Sequence, residues 1–224
     1  MGSNRVNQNV RRMLLGSLIA CLMVGTVAAS ADFPNPAVDI KDPGDGKKQT
    51  IVLAGGCFWC TEIVFQHIKG VEKVVSGYSG GEASTAHYEM VSTGKTGHAE
   101  TVMVTYDPKK ISYGQVLKVF FSVAHDPTQL NKQGPDTGTQ YRSAIFYSTP
   151  EEKRVAEAYI QQLNKAKYFD APIVTQINQL TKFYPAEEHH QNYCNRNPGS
   201  GYVQQIALPK VEKAKKGVPE LYKK

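Results

Sequence analysis

Long apolar runs are almost missing from this chain. One spans residues 13–28, and no later stretch is long enough to cross a bilayer. Cysteine is scarce, four in 224 residues, and tryptophan occurs once. Charge of one sign is also thin. The formal +6 includes Arg5, Arg11 and Arg12, and setting those three aside leaves +3. Much of that remainder lies in the tail "KVEKAKKGVPELYKK", which a solvated tail explains better than a nucleic-acid surface does. No nucleic-acid partner is implied, and no internal repeat is present. The balance of 41% hydrophobic and 21% charged residues is that of an ordinary globular protein, not a disordered or fibrous one.

The lone apolar run reads as part of a leader. Arg11 and Arg12 precede it, and "ASA" at residues 29–31 supplies small residues for cleavage. Residues 1–31 are therefore expected to be a signal peptide, and the mature protein to be exported to a periplasmic or other extracytoplasmic space. "LIAC" at 18–21 offers an alternative, a lipoprotein processing site at Cys21, although the residues after it stay apolar. A membrane anchor is the less favoured of the two, and a monomer is expected. Cleavage after Ala31 leaves Cys57, Cys60 and Cys194. An odd set argues against a structural disulfide framework and for redox chemistry.

Residues 32–49, rich in Pro, Gly and charge, read as a linker. "QTIVLAGG" then makes a short apolar strand. Residues 58–69 fit a helix with Val64, Phe65 and Ile68 on one face and Gly70 as its stop. "VEKVVSGYSGG" and "ETVMVTYDP" are strands, the second placing Val102, Val104 and Tyr106 on one side. Ser112 opens a helix whose buried stripe is Val116, Leu117, Phe120 and Phe121. After the strand "RSAIFYS", "TPEE" supplies Thr149 as N-cap, Pro150 at the first helical position and Glu152 as a capping-box partner. "APIVTQI" is read as a last strand, and no period follows Thr181. The order predicts an α+β fold: a two-layer α/β sandwich with a ferredoxin-like βαββαβ core and an irregular C-terminal segment. Residues 50–213 would form the catalytic domain and 214–224 a basic tail.

The stretch "GGCFWC" at 55–60 concentrates the chemistry. Cys57 follows a strand and two glycines where a helix begins, so backbone N–H groups should favour its thiolate and lower its pKa. Cys60, one turn on, could capture an oxidised Cys57 as a disulfide. Phe58 and Trp59 between them fit either an apolar binding site or ordinary core. Two other motifs compete. "GYSGG" at 77–81 matches a serine nucleophile elbow but is not followed by a helical pattern. Cys57, Cys60, His190 and Cys194 have spacing compatible with a zinc site, though the pairs lie far apart in the chain.

Five motifs in collinear order, "GGCFWC", "TGHAE", "HDPTQ", "GTQYRSAIFY" and "AEEHHQNY", resemble the A-type peptide methionine sulfoxide reductases over residues 50–213. The resemblance implies that Cys57 attacks the sulfoxide sulfur and that Phe58 and Trp59 hold the substrate methyl group. It implies that Glu100 protonates the oxygen, with Tyr88 and Tyr141 hydrogen-bonded to it and Asp136 in the polar wall. A sulfoxide oxygen leaves poorly until protonated, and a carboxyl in a poorly solvated pocket can supply the proton. The expected activity is reduction of methionine S-sulfoxide, free or in proteins, through a cysteine sulfenic acid and an intramolecular disulfide. No metal, flavin or nucleotide is required, and a thioredoxin-like reductant reopens the disulfide. The runners-up are a thioredoxin-like disulfide oxidoreductase and a zinc-stabilised binding module.

The chain departs from the family pattern in its thiols. The first motif often has glycine where Cys60 stands. A late cysteine commonly follows a "GY" pair, whereas Gly201-Tyr202 is followed here by Val203 and Cys194 stands nine positions before it. A relay from Cys57 through Cys60 to Cys194 is favoured over direct attack by Cys194, which the flanking Pro198, Gly199, Ser200 and Gly201 would leave mobile.

Overall fold

Residues 33–223 are described by the structure, a computed structural model. The expected signal peptide and the alternative processing site at Cys21 lie outside the described residues. Along the chain run β1 (Gln49–Gly55), α1 (Phe58–Gln66), β2 (Val71–Ser79), the short α2 (Tyr88–Val91), β3 (Ala99–Tyr106) and α3 (Tyr113–Val119). There follow β4 (Lys132–Gln133), β5 (Asp136–Thr137), β6 (Ser143–Tyr147), α4 (Pro150–Lys165), β7 (Gln176–Gln179) and β8 (Phe183–Pro185). The one-turn α5 (Tyr193–Arg196) and α6 (Leu208–Gly217) complete the order. The fold is mixed α/β, built on a six-stranded sheet in the order β7-β6-β1-β3-β2-β8. Strands β4 and β5 form a separate two-stranded ribbon.

The apolar "IVLA" of β1 shows no alternation because both of its faces are covered. Ile51 and Leu53 enter the main core with Val102, Val104, Tyr106 and Ile145. Val52 and Ala54 face the other way, into a smaller cluster with Ala99, Ala144 and Phe146. β1 lies between β3 and β6, antiparallel to both, and β2 is antiparallel to β3. The alternation of β3 carries Glu100 onto the same face as Val102 and Val104, two residues before the core valines begin. Sheet geometry thus delivers a carboxyl beneath α1.

The helix starts follow their local signals. Ser112 Oγ accepts from Gln115 N, and Gln115 returns the bond to Ser112 N at 2.9 Å. Asp39 reinforces that start by accepting from Gly114 N at 2.7 Å. Residues 33–48 lack regular structure as a linker should, yet this bond and the buried Phe33 fasten them to the domain. Thr149 caps α4 by accepting from Glu152 N. Glu152 reaches one residue further back than a capping box requires, accepting from Ser148 N.

Three expectations need correction. "APIVTQI" contributes only its end to β7, and β7 is not the last strand, since β8 pairs with β2 at Gly77↔Pro185 to Ser79↔Phe183. The segment after Thr181 was unreadable because β8 is only three residues long, and one-turn helices such as α5 carry no periodicity. The basic tail is not loosely solvated. Val211, Ala214, Val218 and Leu221 are buried, and Tyr222 bridges to Ile68 beyond the end of α1. Their spacing of three to four residues is an amphipathic stripe that the surrounding lysines obscure.

Candidate active site

The turn between β1 and α1 sets the site. Gly56 has φ +89°, and a Cβ there would lie 2.5 Å from Gln133 Cβ. Only glycine meets both conditions. The turn leaves Cys57 as N-cap of α1, with its carbonyl accepting from Cys60 N and Thr61 N. Cys57, Cys60 and Cys194 are all free thiols and all buried.

Glu100 comes up from β3 to meet α1. Its Oε2 accepts the Phe58 N–H at 3.0 Å, and the residue is 2% exposed. Burial pushes its carboxyl up to about 8, against the opposing pull of the Phe58 bond. At neutral pH it therefore holds a proton while lying in reach of the helix start.

The expected lowering of the Cys57 pKa is overturned. Burial raises it well above the ordinary thiol value, helped by its hydrogen bond with Cys60 and by the nearby Glu100 carboxyl. One of the helix-terminal N–H groups that would favour a thiolate is already spent on Glu100. Cys60 moves the other way, down to about 7, chiefly because Cys57 hydrogen-bonds to it. Cys57 and Cys60 thus set each other's protonation as one pair.

Phe58 and Trp59 turn out to differ. Phe58 is core, 1% exposed and packed on Tyr78 and His190 at 5.8 and 5.2 Å between ring centroids. Trp59 is half-buried and stacks on Tyr193 at 3.7 Å. The polar residues gather opposite. Tyr88 opens α2, its backbone N–H donating to Glu187 Oε1, and Tyr141 ends a 3-10 turn after Gly138. Burial raises both phenols, and the charges of Glu100 and Cys57 raise them further, which marks their common surroundings. Asp136, in β5, accepts from Tyr202 Oη at 2.7 Å, and Tyr202 in turn accepts from the Cys60 thiol at 3.7 Å.

Cys194 sits in α5, and its thiol donates to the Trp59 carbonyl at 3.5 Å. Burial pushes it up to about 12, and Cys60 is the nearby thiol that adds to the shift. All nine predicted residues therefore border one region, with Cys194 on its Cys60 side.

Sequence reasoning missed Tyr202, His190 as a packing residue, Glu187 and Tyr193. Glu187 accepts from both Tyr88 N and Tyr78 Oη at 2.8 Å, fixing α2 to the sheet. His190 is 2% exposed, kept neutral by burial, and packs between Tyr88 and Phe58. The "AEEHHQNY" motif carried three of these, but their partners lie about a hundred residues earlier. The competing motifs dissolve. Ser79 is buried at the end of β2 with no helix following directly, and no group of three or more metal-ligating side chains gathers among the described residues.

A thiol beside a proton-holding carboxyl, with two further free thiols bordering the same region, fits a thiol-based oxidoreductase. The profile of the peptide methionine sulfoxide reductase family matches residues 49–221. The enzyme of that name from Mesorhizobium japonicum is 56% identical over 174 residues, 78% of this chain and 89% of its own. The one from Deinococcus radiodurans is 52% identical, covering 76% of this chain and 82% of its own. Among solved structures, reduced Mxr1 from Saccharomyces cerevisiae superposes with TM-score 0.62 at 35% identity, covering 73% of this chain and 92% of that one. Methionine sulfoxide reductase A of Corynebacterium diphtheriae gives 0.60 at 33% identity, covering 75% and 87%. The chain belongs to the peptide methionine sulfoxide reductase family and is an oxidoreductase acting on methionine sulfoxide.

Proposed function

We propose that the chain reduces the S epimer of methionine sulfoxide through Cys57, with Glu100 as the acid and Cys60 and Cys194 as successive resolving thiols. The observation that carries the reading is the Phe58 N–H to Glu100 Oε2 bond at 3.0 Å, which holds a buried, protonated carboxyl against the nucleophile's helix start.

The chemistry follows from the groups present. The Cys57 thiol passes its proton to solvent, and its sulfur attacks the sulfoxide sulfur while Glu100 protonates the oxygen. The hydroxyl then passes to the Cys57 sulfur as the S–O bond and the bond between the two sulfurs break, releasing methionine and leaving a sulfenic acid on Cys57. Trp59 receives the methyl group and Phe58 backs that wall, while Tyr88 and Tyr141 steady the oxygen. The Cys60 thiol then condenses with the sulfenic acid, forming a Cys57–Cys60 disulfide and water. Cys194 attacks the Cys60 sulfur and returns Cys57 as a thiol. The position of Cys194 against the Trp59 carbonyl, next to Cys60 in sequence, supports that order. A thioredoxin-like dithiol from outside reduces the last disulfide, and no prosthetic group takes part.

The leader pattern of residues 1–31 supports export, and the strand order β6-β1-β3-β2 with its intervening helices supports a ferredoxin-like core. Purified protein with dithiothreitol should reduce the S epimer of a blocked methionine sulfoxide and leave the R epimer. Equal rates on both, or activity on R alone, would sink the assignment.

A further inference from the structure

The helix α5 is a single turn and cannot hold its own place. Its N-cap, Asn192, is left-handed at φ 54°, ψ 32° and makes no side-chain cap bond. What fixes it is α1. Glu62 accepts the Asn192 N–H with both carboxylate oxygens, at 3.0 and 3.1 Å. One turn further along α1, Gln66 donates to Asn192 Oδ1 at 3.3 Å and accepts from Asn195 Nδ2 at 2.9 Å. Trp59 stacks on Tyr193, and its carbonyl takes the Cys194 thiol. Positions 59, 62 and 66 are spaced three and four apart, so one face of α1 meets all of residues 192–195.

A carboxylate is an expensive way to fill that face. Glu62 is 2% exposed, and burial lifts its pKa to about 7 despite the bond from Asn192. An apolar residue would pack α1 without that cost but would leave the Asn192 N–H unpaired. The carboxylate is therefore matched to the start of α5 and not to the core.

We infer that Glu62 is a positioning residue for disulfide resolution, holding α5 so that the Cys194 sulfur stands at the Cys60 end of α1. It does not touch the sulfoxide. The inference rests on the relay proposed above. Losing the Asn192 bond lets α5 shift, and a displacement near 1 Å costs a reacting pair roughly 10²-fold.

The test mixes enzyme with one equivalent of sulfoxide, without reductant, and quenches with an alkylating agent over time. Methionine release reports the first step, and peptide mapping reports each disulfide. Glu62→Ala should release methionine at the wild-type rate but form the Cys60–Cys194 disulfide roughly 10- to 100-fold more slowly. Glu62→Gln, which keeps an acceptor oxygen, should recover most of that rate. Gln66→Ala, on the more exposed side of the same contact, should slow the same step by less. A wild-type rate of Cys60–Cys194 formation in Glu62→Ala overturns the inference, and so does equal slowing of every step. If Glu62→Ala fails to fold, Gln66→Ala decides by the same criterion. Should wild type pass through no Cys57–Cys60 disulfide, the relay is wrong. Slow arrival of Cys194 at Cys57 in the variant would then still support the positioning role, and a wild-type rate would end it.

Discussion

The two halves of the site are held by different means. Cys57 and Glu100 stand on β1, α1 and β3, whose backbone ladders run uninterrupted from Gln49↔Tyr106 to Leu53↔Val102. Cys194 stands on a single turn held by the side chains of Glu62 and Gln66 and by the Trp59 backbone carbonyl, which accepts from its thiol. In the proposed mechanism, the step that needs exact placement of a proton and a nucleophile is built on the sheet. The step that would afterwards present a disulfide to an outside partner is built on contacts that can be released. Side-chain bonds of this kind open locally at lower cost than a sheet ladder does.

The largest expected effect tests the rigid half. Glu100→Gln should slow methionine release in a single turnover by roughly 10²–10⁴-fold, with substrate binding changed much less. The wild-type rate should fall as pH rises through about 8, because the buried carboxyl loses its proton there and can no longer act as the acid. The Gln variant should lack that fall. A rate within a few-fold of wild type would remove Glu100 from the mechanism.

The next prediction tests the releasable half. Cys194→Ser should accumulate a Cys57–Cys60 disulfide after one equivalent of substrate and slow turnover driven by a protein dithiol roughly tenfold. Peptide mapping decides it. A free sulfenic acid persisting at Cys57 would show that Cys60 does not resolve.

Stability separates the thiol turn from the rest of the fold. Gly56→Ala should destabilise the fold by about 1–3 kcal/mol in urea unfolding, since its φ of +89° is strained for a side chain. Gln133, the neighbour it would strike, is tied to Asp126 N and O and cannot swing aside easily. Ser112→Ala lies far from the thiols and should cost about 1 kcal/mol through loss of the α3 cap, with methionine release unchanged. A larger loss at Ser112 than at Gly56 would contradict the claim that the thiol turn is the more constrained place.

What could be read early was local. The period-two pattern of 99–106, the N-cap serine and threonine, and the glycines before Cys57 each signal within a few residues of themselves. The family was legible through several motifs in order. Tyr202 was not, because its bond to Asp136 joins residues 66 apart. The acidity of the thiols was read wrongly for a related reason: a helix start alone favours a thiolate, but burial and the rival claim of Glu100 on the Phe58 N–H come from elsewhere.

The sequence by itself determined the strands at the centre, the starts of the long helices and the family, because periodicity, caps and motifs act over short spans of chain. Only the tertiary structure decided that Phe58 is core while Trp59 is half-buried against Tyr193, and that the basic tail is docked. It also decided where Cys194 rests. Glu62 and Asn192 are 130 residues apart, and nothing in either neighbourhood names the other. Their contact exists because packing α1 on the sheet leaves one helix face free, and the chain returns to cover it.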